Sequence, residues 1–564
     1  MNGSKETNHA AYGAYVMFIA GLGGLLYGVD VGIIATALLY LGATISLSTA
    51  QTSVIVAAVF VGGTISSLVA GLLADWMGRK RVMVLSGLLF VVSVAMIVAA
   101  HGFELLMAGR FLQGISAGAI AVVVPLYLAE SLSAGTRGRG TAIFQFMLTL
   151  GLVAAALLGY HYTAAAKAAI EAAAGDAGLI RAAQNHAWRG MFLAAVYPSI
   201  VFFVGSMFLS ESPRWLFRKG RAADALVALR RASGEEDAQL QLREMEELAA
   251  KKNVVSADGT AKAAGSLLQR KYVVPFLMAC VILTCNQTTG INSILSFLVL
   301  ILREAGMSAT RATQGNIVVT VLNCVMTLVA VALIERKGRK FLLTLGTAGI
   351  VVSLTCAGAL LYRMEAKRVD VQPQVQAAVQ GSTLHLPIAA LGMLPGQAQI
   401  LTISYTNGSG SKLVSARSDD PVPALDIVPE AGDKVAPLLV QRATLGPVPS
   451  QESGWAVTAC LAFFIASFAV GPGVVVWLAL SELMPTRIRS AGMGIALLLN
   501  QGASALIAGT FLPVAGRFGY YAMFALWAAA SVVYFVVAAF ALPETKGKTL
   551  EEIERHFEGS KASA

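Results

Sequence analysis

Twelve apolar blocks, each near the ~20 residues a helix needs to cross the hydrocarbon core of a bilayer, run through this 564-residue chain. They lie near Tyr12–Tyr40, Val54–Ala74, Val82–Ala100, Leu105–Ala129, Thr141–Tyr162 and Gly190–Leu209. After a polar stretch come Tyr272–Leu302, Asn316–Ile334, Phe341–Tyr362, Trp455–Leu480, Ala491–Val514 and Gly519–Leu542. The pattern predicts six membrane helices, a gap, and six more. Composition agrees: 13% of residues are charged and 56% hydrophobic, whereas a soluble chain needs about twice that charged fraction. Cys280, Cys285, Cys324, Cys356 and Cys460 all lie inside the blocks, without metal-ligand spacing, and read as small apolar packing residues. Met1–Ala11 lacks the basic region and cleavage site of a secretory signal, so the first block is expected to remain as a membrane anchor.

The charges set topology. Net charge is +10, yet no basic stripe with interleaved aromatics exists, which argues against a nucleic-acid partner. Positive residues cluster in the loops after blocks 2, 4, 8 and 10 (Arg79–Arg81; Arg137 and Arg139; Arg336, Lys337, Arg339 and Lys340; Arg487 and Arg489). The loops after blocks 1 and 3 carry neither Lys nor Arg. The positive-inside rule then places both termini and the polar gap in the cytoplasm. Within that gap, Ser210–Lys271, the Ala/Leu/Glu/Arg-rich centre Ala222–Ala250 predicts short amphipathic helices.

The two halves repeat. Asp75 and Gly78-Arg79-Lys80 match Glu335 and Gly338-Arg339-Lys340 at an offset of 260, while Glu130 with Arg137 matches Glu482 with Arg489 at 352. The offset grows by 92 between them, which locates an insertion near Arg363–Gly454, on the outer side. Glu211 and Glu544 match at 333, which implies an extra outer loop of 19 residues in the first half, near Ala164–Ala187. The expected organisation is residues 1–209 as the first six-helix half and 210–271 as a cytoplasmic linker. Helices 7–9 fall in 272–362, the extracytoplasmic insertion in 363–454, helices 10–12 in 455–542, and a cytoplasmic tail in 543–564.

Seven short motifs occur in order: Gly78-Arg79-Lys80; Arg110-Phe-Leu-Gln-Gly114; Pro125-Leu-Tyr127-Leu-Ala-Glu130 with Arg137-Gly138; Glu211-Ser-Pro213-Arg214-Trp215; Gln287-Thr-Thr-Gly290-Ile-Asn292; Glu335 with Gly338-Arg339; and Pro543-Glu544-Thr545-Lys546-Gly547. With them the chain resembles the sugar porter family of the major facilitator superfamily over nearly its whole length outside the insertion. The resemblance implies an all-α membrane protein with twelve transmembrane helices in two pseudo-symmetric six-helix halves and cytoplasmic helices between them. The substrate site is then expected between the halves near the midplane. It implies a transporter rather than an enzyme, with no cofactor and no metal, working as a monomer in the cell (plasma or inner) membrane.

Asp30 is the only charge in Tyr12–Tyr40, and Arg110 the only one between Glu104 and Glu130. An ionisable group at membrane depth costs at least ~2.5 kcal/mol by insertion scales, so it needs a partner or a task. A guanidinium keeps its proton, so an aspartate beside it is held charged, and one moved away into an apolar site takes up a proton. The pair reads either as this switch or as a static buried ion pair. The family resemblance favours the switch, because its symporters carry aspartate here and its facilitators tend to carry asparagine.

Carboxylates and arginines at helix ends (Asp75, Glu130, Glu211, Glu335, Glu482 and Glu544 against Arg79, Arg137, Arg214, Arg339 and Arg489) either hold the halves shut on the cytoplasmic side or only set topology and cap helices. A sugar site needs amides, which donate and accept without charge, and an aromatic face for the ring's C–H surface. Candidates are Gln145, Asn286, Gln287, Asn292, Asn323 and Asn500, with Trp477 as the aromatic. Their alternative use is as glue between helices. Gln287 and Asn292 are five apart and cannot share one narrow helical face, so a break near Gly290 is expected to let them converge. Relative to the family, Asn286 stands for a usual glutamine, Ser296 and Phe297 for a tyrosine pair, and Gln501 for a frequent tryptophan. These departures predict a wider, more polar pocket, while Tyr27 remains family-like. Gly21, Gly23 and Gly24 predict close helix packing. In the insertion, Gln399–Tyr405 and Lys412–Ala416 flank Asn407-Gly-Ser-Gly, a hairpin signal. The segment reads as a small β-structured cap or as a disordered loop, and Asn407–Ser409 as a glycosylation sequon in a glycosylating host.

The leading expectation is a proton-coupled symporter of a monosaccharide (hexose or pentose) or related polyol, working by alternating access. A proton-independent facilitator and a non-transporting sugar sensor are the alternatives. The chain runs only about twenty residues past Pro543, shorter than the tails of such sensors.

Overall fold

The computed structural model describes residues 3–132, 134–257, 270–392, 398–407, 410–418, 424–427, 436–484, 489–544 and 546. The first half contains α1 (Gly3–Thr44), α2 (Thr49–Met77), α3 (Arg79–Ala99), α4 (Phe103–Ser131), α5 (Ala134–Ala172), α6 (Ala177–Ala194) and α7 (Val196–Met207). The linker forms α8 (Pro213–Arg218), α9 (Ala222–Ser233) and α10 (Glu235–Ala257). The second half begins with α11 (Arg270–Thr288), α12 (Ile291–Glu304), α13 (Ala309–Lys337) and α14 (Arg339–Glu365). The insertion supplies β1 (Val369–Asp370), α15 (Gln372–Ala377), β2 (Leu384–Pro387), β3 (Gln399–Thr406), β4 (Ser411–Arg417), β5 (Ala424–Ile427) and β6 (Leu439–Pro447). The chain returns as α16 (Gln451–Val470), α17 (Pro472–Leu483), α18 (Arg489–Phe518) and α19 (Tyr520–Val536).

Twelve spans among the described residues are long and apolar enough to cross a membrane, in the predicted six-plus-six order. Three are built from two helices. α6 breaks into α7 at Ala195, where Pro198 has no N–H to give back to the preceding turn. α11 and α12 are separated at Gly290, and α16 and α17 at Gly471. The lipid-facing surface is apolar: Leu72, Leu506 and Phe540 are exposed, as a bilayer solvent permits. Helix contact runs deep where residues are small. A Cβ built on Gly24 would lie 2.3 Å from the Phe144 carbonyl oxygen, so α1 and α5 approach as closely as they do only because that side chain is absent.

The predicted extra loop near Ala164–Ala187 is helix instead. α5 continues to Ala172 and α6 starts at Ala177, so only a short turn joins the two helices. The reason is local: the segment is rich in alanine, the strongest helix former, and Asp176 caps α6 by accepting from the Leu179 N–H.

The insertion is a folded cap. β1, β6, β3 and β4 form one antiparallel sheet in that order, and β2 pairs with β5 in a second. The expected hairpin is present, with Ile403 opposite Val414 and Tyr405 opposite Lys412. Leu401, Ile403, Ala443, Leu386, Ile388 and Val375 fill the cap's own apolar core. Asn407 of the sequon is buried; residues 408 and 409 lie outside the described set. The cap is anchored to its own half by an Arg368–Glu304 ion pair, by Arg442 Nη1 donating to the Arg517 carbonyl at 3.3 Å, and by Arg417 Nη1 donating to the Gly306 carbonyl at 3.5 Å. It also crosses to the other half. Thr49 Oγ1 donates to the Ser411 carbonyl at 2.9 Å, and Lys412 Nζ to Ser46 Oγ at 2.5 Å.

Candidate functional site

Helix pairing sets the site. α2 packs on α18, α5 on α13, and α1 on α12, each pair joining one half to the other. Between the halves, Leu512 N–H donates to Ser53 Oγ at 3.2 Å, and Thr149 Oγ1 lies 3.5 Å from Cys324 Sγ.

In the second half, the amides converge as expected. Gly290 adopts φ 82°, a left-handed conformation open to glycine, and ends α11 so that α12 starts on a new axis. Its missing side chain also admits Trp527, whose ring would lie 2.4 Å from a Cβ there. Asn292 Nδ2 donates to Gln287 Oε1 at 3.0 Å, and Gln287 Nε2 donates to Asn500 Oδ1 at 3.2 Å. Asn500 Nδ2 in turn donates to the Leu283 carbonyl at 2.8 Å. Ser504, absent from the sequence expectation, accepts from Asn292 Nδ2 at 2.8 Å; its place one turn after Asn500 on α18 was the available signal. Asn286 is buried, and its Oδ1 has no hydrogen-bond partner among the described residues. Gln145 and Asn323 are half-buried on α5 and α13, and neither joins this network. Trp477 lies on α17, but its side chain is outside the described set. Ser296 and Phe297 are both buried, and Phe297 stacks on Phe511 with centroids 4.5 Å apart. The expected widening at these two positions is therefore taken up by packing.

In the first half, Arg110 Nη1 lies 2.9 Å from Asp30 Oδ1, with side chains 1% and 0% exposed. The same Nη1 donates to Gln113 Oε1 at 2.7 Å, and the guanidinium lies over the Phe192 ring, 5.6 Å from its centroid. Tyr27, one turn before Asp30 on α1, and Gln501 on α18 are both half-buried.

At the linker end, Arg79 Nε lies 2.8 Å from Glu130 Oε2 and Arg79 Nη2 lies 2.8 Å from Asp75 Oδ1. Glu211 Oε1 accepts from the Arg79 and Lys80 N–H groups at 2.9 and 3.1 Å, at the N-terminus of α3. The repeat is kept in the second half, where Glu544 accepts from the Arg339 and Lys340 N–H groups at 3.0 and 3.1 Å. These contacts link helices of one half rather than one half to the other. Arg214 is exposed, and Arg218, one turn on, reaches Asp75 and Glu130 at 3.5 and 3.3 Å. This corrects the expected partner: the N-terminal start of α8 turns Arg214 outward, and only the next turn faces the carboxylates. The side chains of Arg137, Glu335, Glu482 and Arg489 lie outside the described set.

A family model described as "Sugar (and other) transporter" matches residues 16–402 and 438–557, passing over only part of the cap between them. The chain belongs to this sugar transporter family. Among its relatives is the glucose transporter GlcP of Staphylococcus epidermidis, 27% identical over 543 residues and covering 96% of both chains. The proton myo-inositol cotransporter of Homo sapiens is 28% identical, covering 98% of this chain and 83% of that one. The galactose-proton symporter of Escherichia coli K12 is 25% identical, covering 96% and 94%. The fold is that of the xylose transporter XylE from E. coli in its inward open conformation, with a TM-score of 0.65 at 20% identity over 96% of this chain and 99% of that one. It is a major facilitator fold of twelve helices, and the protein is a multi-pass membrane transporter rather than an enzyme.

Proposed function

We propose that this protein couples proton movement to uptake of a monosaccharide (hexose or pentose) or related polyol by alternating access. The observation that carries the proposal is the Asp30–Arg110 pair, 2.9 Å apart and fully buried in α1 and α4. A charged pair inside a membrane bundle is expensive to keep and marks a functional group by default. Tyr27 lies one turn before Asp30 on α1, and Gln501 directly follows Asn500 on α18. Gln287, Asn292, Asn500 and Ser504 form a neutral donor–acceptor set that suits the hydroxyls of a sugar, and without one they satisfy each other. Asn286, Gln145, Asn323, Gln501, Tyr27 and Trp477 belong to the proposed pocket wall, and the linker-end carboxylates and arginines to a proposed inner gate. Positive-inside charge supports a cytoplasmic linker and termini, in the plasma or inner membrane. The names of several relatives include proton coupling, which supports the same reading.

In this scheme the sugar enters when the cap side is open, and Asp30 carries a proton while it is parted from Arg110. Re-pairing with Arg110 after the halves rock returns the proton to the other side. The test is reconstitution in liposomes with labelled D-glucose, D-galactose, D-xylose and myo-inositol, with and without an inward proton gradient. Expected is gradient-driven accumulation of at least one of them. Asp30→Asn should abolish that accumulation by more than tenfold while sustaining sugar exchange. Equal, gradient-independent uptake by both proteins would make it a facilitator and overturn the coupling claim.

A further inference from the structure

We infer that Gln113 is a positioning residue for proton coupling: it is a resident neutral acceptor that holds Arg110 in place while Asp30 is protonated and parted from it. The inference deepens the symport reading and rests on it.

The geometry is a shared donor. Arg110 and Gln113 are three residues apart on α4 and so lie on one face. Arg110 Nη1 serves Asp30 Oδ1 at 2.9 Å and Gln113 Oε1 at 2.7 Å together, so the amide contact is the shorter of the two. Gln113 is wholly buried, and Asp30 Oδ2, Arg110 Nε and Gln113 Nε2 have no hydrogen-bond partner among the described residues. The site is therefore not saturated; it has acceptors and donors in reserve.

Separating a buried ion pair leaves the arginine as an uncompensated charge, which is costly unless another acceptor remains. An amide oxygen supplies that acceptor. It carries no charge and does not titrate, so it stabilises the guanidinium without competing for the proton. Besides Arg110, the titratable group coupled to the charge of Asp30 among the described residues is Tyr27, from α1 itself. α6 presents the Phe192 ring, α5 packs Leu148, Leu152 and Ala155 against α1, α2 brings Val59 to α4, and α3 brings Ile97 and the Ser93 carbonyl. Gln113 Oε1 is the acceptor already bonded to Arg110, so it needs no rearrangement when Asp30 leaves.

The sign follows. Without the amide, the state with neutral Asp30 and unpaired Arg110 is penalised, and a higher proton concentration is needed to reach it. The test uses the full-length protein in liposomes and whichever of the four labelled sugars the wild type accumulates, with uptake measured from pH 5 to pH 9. Gln113→Met, close in volume, should move the half-maximal pH of uptake downward by about one unit, the scale of one hydrogen bond to a charged group. Gln113→Glu, a charged acceptor, should move it upward. A purely structural role would lower the rate of either variant without moving its midpoint in opposite directions. Sugar exchange at equal pH on both sides reports whether each variant is folded, and one folded variant suffices: an unmoved midpoint in it overturns the inference. If instead the wild type accumulates nothing in response to a proton gradient, the symport reading itself has failed and this one fails with it.

Discussion

Ser504 shows how one hydroxyl enters the amide network unannounced. Asn292 Nδ2 is held between its Oγ at 2.8 Å and Gln287 Oε1 at 3.0 Å, which fixes the amide's direction before any sugar arrives. A positioned amide needs less ordering on binding. Ser504→Ala should therefore raise the KM for the transported sugar about fivefold, the scale of one lost hydrogen bond, with protein folding intact. A KM within twofold of wild type would show that Asn292 is positioned by Gln287 alone. Glu365 offers a second test at this scale. Its Oε1 accepts from the Tyr520 and Tyr521 N–H groups at 2.9 and 3.3 Å, the same clamp on a helix N-terminus that Glu211 and Glu544 make at the other end. Glu365→Ala should cost about 1 kcal/mol of stability, read as a lower thermal midpoint in detergent; an unchanged midpoint would mean that water replaces the carboxylate at no cost.

The broken seventh span is the element on which the proposed pocket depends. An uninterrupted helix from α11 through α12 would point Gln287 and Asn292 apart, because five positions amount to well over a full turn. The break at Gly290 brings Asn292 Nδ2 within 3.0 Å of Gln287 Oε1. Gly290→Ala would place a side chain at φ 82° and against the Trp527 ring. The left-handed conformation alone costs about 1–2 kcal/mol, so the variant should unfold at a lower temperature and lose most sugar uptake. Wild-type uptake and stability together would show that the break forms without glycine. The sequence carried this element well, since the amide spacing and the glycine between them are both local. It carried the α5–α6 extension poorly. There the motif offset between the halves counts inserted residues but says nothing of their conformation, and the alanine-rich segment is helix rather than loop.

At the scale of the whole molecule, the cap belongs by sequence to the second half yet touches the first through Thr49–Ser411 and Ser46–Lys412. Opening on the cap side in an alternating-access cycle has to part those contacts. Ser46→Cys with Lys412→Cys, joined by a short cleavable thiol crosslinker, should reduce uptake to background, and cleaving the linker should restore it. Undiminished uptake by the linked protein would mean that cap and first half move as one. Twelve spans, two repeated halves, the ion-pair residues and the amides all follow from local chemistry: apolar length, loop charge, and polar groups that a bilayer makes conspicuous. Local chemistry also signalled the β3–β4 hairpin. Other features depended on distance through space: Arg218 rather than Arg214 at the carboxylates, Gln113 sharing the arginine's donor, Ser504 completing the amide network, and the cap bridging both halves. Each joins groups whose spacing along the chain carries no trace of their meeting or, for Gln113, whose place one turn from Arg110 gains meaning only once Asp30 is folded against both.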